Sequence, residues 1–159
     1  MLTRYFHRAK ITGNRSDSGK WISGFLYGIW EKQYFILWGM TNSIPYLTEV
    51  DASTICQCTN LKDKNGNLIW ENDIVDFLGH RGIIKYECGS FGIEFKYTLD
   101  KATIQSSIDS NISCVSKNIK FIPLRDIYWD NFNNDNNYLR VVELVGNIFD
   151  NPELLEMEE

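Results

Sequence analysis

Large apolar and small or polar side chains alternate with a period of two over much of this chain, as they do in β-strands. Residues 21–30, WISGFLYGIW, set bulky residues against small ones and predict a strand. Glu31-Lys32 marks a hairpin tip, and YFILWGM at 34–40 reads as the partner strand, with Pro45 in a loop beyond it. STICQCT at 53–59 is short and β-branched, which predicts a third strand. LKDKNGN at 61–67 is a turn, because Asn65-Gly66 supplies the positive φ angles of a tight reversal.

Further along the pattern becomes more regular. Strands are expected at 72–78, 82–87 and 91–97, separated by turns at Gly79–Gly82 and Cys88–Ser90. Between 98 and 118, Ile104, Ile108, Ile112 and Val115 fall at helical spacing, yet Ser and Thr dominate, so a loop with at most one short helix is expected. NIKFIPL at 118–124 predicts a strand, LRDIYWD a single helical turn, NFNNDNN at 131–137 a polar loop, and YLRVVELVG at 138–146 a last strand. Asn151-Pro152-Glu153 places an N-cap residue, a proline at the first helical position and an acid in the first turn, so the chain should end in a short helical turn. The expected fold class is mainly β. An N-terminal strand region with a basic arm occupies 1–62, and an SH3-like small barrel with an acidic tail occupies 63–159, its five strands lying within about 66–150.

Composition agrees with that reading. Alanine occurs only at Ala9, Ala52 and Ala102, which argues against a mostly helical protein. A hydrophobic fraction of 43% with 14% aromatics excludes intrinsic disorder in a chain of 159 residues. The net charge of -5 resides in residues 150–159, through Asp150, Glu153, Glu156, Glu158 and Glu159, and the remainder balances. Its first twenty residues carry Arg4, Arg8, Lys10, Arg15 and Lys20 against Asp17 alone. No apolar run reaches membrane-spanning length and no apolar segment follows the basic N-terminus, so a cytoplasmic protein with reduced cysteines is expected.

TNLKDKNGNLIWENDIV at 59–75 and VGNIFDNPELL at 145–155 resemble the YopX-like family of bacteriophage and prophage proteins. HRAKITGNRSDSGKWISGFL at 7–26, followed by VDASTICQCTNL at 50–61, is similar to the longer form of that family. The resemblance implies a phage-derived product with an SH3-type barrel in its C-terminal part, and it implies no activity, cofactor or catalytic residue. Asn60 and Asn72 stand where the family has Gly; Asn also tolerates the left-handed region, so both turns can survive the exchange. The motif residues read as backbone punctuation. Asn65, Gly66 and Asp73 set the turn and start the next strand, while Ile69, Trp70, Ile74 and Val75 supply buried side chains. Gly146, Asn147, Ile148, Asn151 and Pro152 close the last strand and open the terminal turn.

Four sets of residues are candidates for chemistry or binding. Cys56 and Cys58 share one strand face and, with Cys88, Cys114, His7 or His80, could hold zinc, but no C-x-x-C or H-x-x-x-H spacing occurs and buried free cysteines serve as small apolar residues. Asp73 or Asp76 with Glu94 and Lys96 could form a Mg²⁺-dependent nuclease core, although charges on the solvent face of alternating strands account for the same residues. No nucleophile elbow, phosphate loop or dinucleotide fingerprint is present, so neither an enzyme nor a cofactor is expected. Arg4, Arg8, Lys10, Arg15, Lys20 and Trp21 interleave basic and aromatic side chains as a weak single-stranded nucleic-acid site would. Five Trp, eight Tyr and nine Phe exceed what a small barrel hides, which favours a non-enzymatic binding or assembly module with a protein partner or a second copy, and no membrane.

Overall fold

The computed structural model describes residues 6–29, 33–100, 118–130 and 138–156. Arg4, Cys114, the loop expected at 131–137 and nearly all of the segment expected as loop or short helix at 98–118 lie outside the described residues. The fold is mainly β, built from two antiparallel sheets, and the chain divides into two compact units, Met1–Cys58 and Thr59–Glu159.

In the first unit β1 (Phe6–Lys10), β2 (Trp21–Ile29), β3 (Gln33–Thr41) and β4 (Ile44–Val50) form an antiparallel meander, and β5, which begins at Cys56, pairs with β1 on its other side. Of the residues expected in a basic arm, Arg8 and Lys10 therefore lie in an interior strand. Their alternation explains this, since Ala9 and Ile11 are buried while Arg8 and Lys10 point to the opposite face. Ala9, Ile36 and Val50 form the core, with Ile22, Leu26, Tyr34 and Ile55 packed against it. An isolated bridge between Ile11 and Val50 and a bond from Asp51 N to Lys10 O (2.8 Å) tie β1 to the end of β4.

Pro45 lies within β4 rather than in a loop. Asn42 and Ser43, with φ of 49° and 64°, make a two-residue reversal that leaves Thr41–Ile44 as the hydrogen-bonded pair. Met40–Pro45 is then a non-bonded pair, and the missing proline N–H faces away from β3, where an edge strand tolerates it. The strand expected at 53–59 starts later, as β5 (Cys56–Lys62). Asp51 accepts from Ser53 N (2.9 Å) and Ser53 Oγ (2.7 Å), and this cap winds Ala52–Thr54 into a 3₁₀ turn.

In the second unit β6 (Leu68–Trp70) neighbours β5, and β7 (Asp73–Phe77), β8 (His80–Glu87), β9 (Ser90–Asp100), β10 (Asn118–Pro123) and β11 (Val142–Asn147) form a sheet in the order β10-β9-β8-β7-β11. Where an SH3-like small barrel is expected, the described residues form a five-stranded antiparallel sheet that is not closed, with β10 and β11 at its two edges. Helix α1 (Leu124–Asp130) extends the expected single turn, burying Leu124 and Ile127 with Val75, Phe77, Ile84, Ile93 and Phe95. The last strand begins at Val142 instead of 138, because Leu139 N bonds back to Lys62 O (2.7 Å) and the chain turns before pairing with β7. Among the described residues no helix is long and apolar enough to cross a membrane.

One carboxylate organises this unit. Asp63 is fully buried and accepts from Asn65 N (3.0 Å), Asn67 N (2.7 Å), Asn67 Nδ2 (3.2 Å) and, from β11, Leu144 N (3.0 Å). The Asn65-Gly66 turn and the closing strand, remote in sequence, thus share one acceptor. A second tie runs from Ile148 N to Asn72 O (3.1 Å). Asn60 and Asn72 sit at φ of 63° and 65°, the left-handed region expected of them. Gly146 is required by packing, since a Cβ there would lie 2.7 Å from Asn151 Oδ1 and 2.9 Å from Leu154 Cδ1, atoms of the terminal 3₁₀ turn Pro152–Leu155 and its N-cap residue.

Burial pushes the Asp63 carboxyl up, but the amides of Leu144, Asn67 and Asn65 outweigh it and hold it below the usual carboxylate range. A depressed folded-state pKa stabilises fully above about pH 4 and loses that contribution as pH falls through the folded value. Asp63→Ala, which strands three backbone donors, should cost about 3 kcal/mol in urea denaturation at pH 7 and flatten the acid limb of the stability profile. An unchanged midpoint and acid limb would contradict this role.

Candidate macromolecule-binding face

Strand alternation decides which side chains of the first unit meet solvent. Phe6 pairs with Phe25, Arg8 with Ser23 and Lys10 with Trp21, so these six and Tyr27 share the outer face of β1 and β2. The Phe6 and Phe25 rings meet edge to face with centroids 4.8 Å apart. The Arg8 guanidinium lies 4.6 Å and the Lys10 ammonium 5.5 Å from the Trp21 ring centroid. Cation–π contact fixes both long side chains over one aromatic surface, at about 0.5–1 kcal/mol each where exposed. Gly24 allows β3 to approach, because a Cβ would stand 2.2 Å from Leu37 O.

Phe35 and Leu37 extend this face onto β3, and Leu47 and Glu49 onto β4. A register shift between Leu37 and Gly39 then re-aims the strand. Trp38 donates from Nε1 to Thr48 Oγ1 (2.9 Å) and stacks on Tyr46 with centroids 5.0 Å apart. Phe6, Phe25, Leu37, Trp38 and Met40 line an open groove of about 380 Å³ beside that shift. Exposure is high along the groove: Phe25 45%, Trp38 53% and Met40 63%. Tyr27, Ile44, Tyr46 and Leu47 are also exposed on β2 and β4. The sequence reading missed this surface. Its signal was present in β2, where Ile22 and Leu26 face inward while Phe25 and Tyr27 face outward, so both faces are apolar.

Charge is also divided between the units. Residues 1–58 hold six basic and four acidic side chains, a net of +2, and residues 59–159 hold ten and seventeen, a net of -7. Of the basic candidates, Arg8, Lys10 and Trp21 come together on the outer face. Arg15 instead pairs with Asp17 at 3.2 Å in an exposed turn, and Lys20 is exposed just before β2.

The nuclease candidates are dispersed. Asp73 is buried and accepts from Trp70 N (2.8 Å) at the start of β7, whereas Asp76 is paired across to Arg81. Glu94 and Lys96 lie on β9, with β8 between them and Asp76. Two strand spacings separate those carboxylates by about 10 Å, too far to share one Mg²⁺. The motif residues are structural in placement: Ile69, Ile74 and Val75 are fully buried, Trp70 is nearly so, and Asn147 Oδ1 accepts from Phe149 N and Asp150 N (both 3.0 Å).

The family model described as YopX protein matches residues 15–156. No curated protein matches the chain.

Cys56 and Cys58 are buried in β5, and Cys56 Sγ lies 3.3 Å from Thr54 O, while Cys88 is exposed at the β8–β9 reversal. Among the described residues no group of three or more His, Cys, Asp or Glu could hold a metal. In a Cys114→Ser background a single thiol, Cys88, should react rapidly with a disulfide reagent, and Cys56 and Cys58 only on unfolding. Fast reaction of more than one native thiol would contradict the burial of β5.

Proposed function

The chain belongs to the YopX protein family, and from that premise we propose that it is a non-enzymatic, phage-derived accessory module that binds a protein partner in the bacterial cytoplasm. One observation carries the reading. Seven large apolar residues (Phe25, Tyr27, Trp38, Met40, Ile44, Tyr46 and Leu47) stand exposed on three consecutive strands, β2 to β4. Phe25, Tyr27 and Leu47 share the outer face while Ile44 and Tyr46 alternate to the other, so apolar surface is exposed on both sides of the meander. Exposed apolar surface is characteristic of interaction sites, and aromatic residues and Met are enriched at interface cores. The partner side of this surface is β3 and β4, where Trp38 is already oriented by Thr48 and Tyr46 and needs little ordering on contact.

Pro45 bears on the mode of contact. With its missing N–H directed outward, β4 is blunted against the addition of another strand. Side-chain packing into the groove, rather than extension of the sheet, is therefore the proposed means of association.

Native mass spectrometry of the full chain taken gently from a bacterial lysate tests this. The wild type should carry a second copy or a retained protein, and Met40→Asp and Leu47→Asp should fly as bare monomers with unchanged circular dichroism. A bare wild-type monomer would overturn the proposal.

A further inference from the structure

We propose that the acidic segment 157–159 docks on the second unit's own sheet, in a groove of β8, β9 and β10 that the turn before it already borders. Groove and occupant both belong to the second unit, so this contact is independent of the apolar surface of β2 to β4. Strand register decides what the groove's face carries. Val75, Gly82 and Phe95 lie in line across three strands, as do Ile84 and Ile93 across two, and they turn towards the core shared with α1. Ile74, Ile83 and Glu94 are also in line, with Phe121 beyond them on β10, and stand on the opposite face.

Ile74 is fully buried although α1 covers the other side of the sheet. The 3₁₀ turn Pro152–Leu155 is seated on this second face. Leu154 packs against Gly146, the partner of Ile74 on β11, and Leu154 O accepts from Arg81 Nη1 (2.9 Å) on β8. The chain is thereby pinned to the sheet at its last turn. Leu155 then lines an open groove of about 290 Å³ together with Ile83, Glu94, Phe95, Lys96 and Lys120.

Reach and charge select the occupant. Met157, Glu158 and Glu159 follow Glu156 directly, and three extended residues span about 10 Å from a chain already fixed at the groove wall. The segment offers one thioether and two carboxylates. Opposite them the groove offers the apolar Ile83 and Phe95 and the exposed Lys96 and Lys120, whose charge exceeds that of Glu94 by one. Methionine fills irregular apolar gaps, and paired carboxylate and ammonium groups form the stronger class of hydrogen bond. Elsewhere an acidic segment meets a unit with a net charge of -7, and at these two lysines the repulsion is locally reversed. A neighbouring chain's segment has the same chemistry, but the linked one acts at an effective concentration of about millimolar.

The test is carbodiimide coupling of the full chain, in an equal mixture of unlabelled and isotope-labelled protein at low micromolar concentration, mapped by mass spectrometry. This reagent joins an amine and a carboxylate that are already in contact. Isopeptide bonds from Lys96 or Lys120 to Glu158 or Glu159 should form within chains of a single isotope. Peroxide should oxidise Met157 several-fold more slowly in the native chain than in urea. The double variant Lys96→Gln, Lys120→Gln, with unchanged circular dichroism, should lose that protection. Four results would overturn the proposal: no product at either lysine, products of mixed isotope only, equal oxidation of Met157 in the native and unfolded chains, or full protection retained in the double variant. Mixed products alone would assign the groove to the acidic segment of a second copy.

Discussion

A sheet can bury both its faces only if something covers each of them, and the first unit covers one. Ala9, Ile36 and Val50, with Ile22, Leu26, Tyr34 and Ile55, fill the inner side of the β1–β4 meander. The bridge from Ile11 to Val50 curls the sheet about that core. The outer side nevertheless retains Phe25, Tyr27 and Leu47, and the rim retains Trp38 and Met40. Burying one large apolar side chain stabilises by about 1.5–3 kcal/mol, so leaving several exposed forgoes a substantial gain within a single chain. That gain is available to a partner, and the rest of the functional account follows from it.

The second unit has different physics. Its apolar residues on β7, β8 and β9 are matched by α1 on one side, and its organising element is polar. Asp63 satisfies donors from its own turn and from β11, and in return the turn holds the last strand in register. A buried carboxylate with several N–H partners stabilises only while all of them are present, which couples two segments that the chain separates by about eighty residues. The segments that carry the family resemblance are thus those whose backbones must meet.

Much of this was legible beforehand, for identifiable reasons. Period-two alternation located the hairpin of β2 and β3 and the run from β7 to β9, because each has one buried face or a clear turn residue at its end. The left-handed conformations of Asn60 and Asn72 followed from chemistry alone. Other features were not legible because they depend on tertiary partners. FHRAK looks like a charged arm until β2 and β5 pair with it from both sides. Pro45 reads as a loop residue unless the register of its hairpin shows which way its nitrogen points. The five short strands of the C-terminal part pointed to a small SH3-like barrel; their antiparallel order is that of a five-stranded sheet, and alternation alone does not encode whether its edge strands meet. Of the candidate face, Arg8, Lys10 and Trp21 were visible as composition, whereas the groove depends on the shift at Leu37–Gly39, which alternation does not encode.

The central claim is that the apolar surface of β2 to β4 is covered when the protein is at work. Hydroxyl-radical footprinting, read by mass spectrometry at Tyr27, Trp38 and Met40, tests this directly. In dilute purified protein all three should oxidise readily, and in intact bacterial cells expressing the same chain Trp38 and Met40 should be strongly protected relative to an exposed reference such as Tyr86. Equal oxidation of Trp38 and Met40 in the two settings would contradict the account.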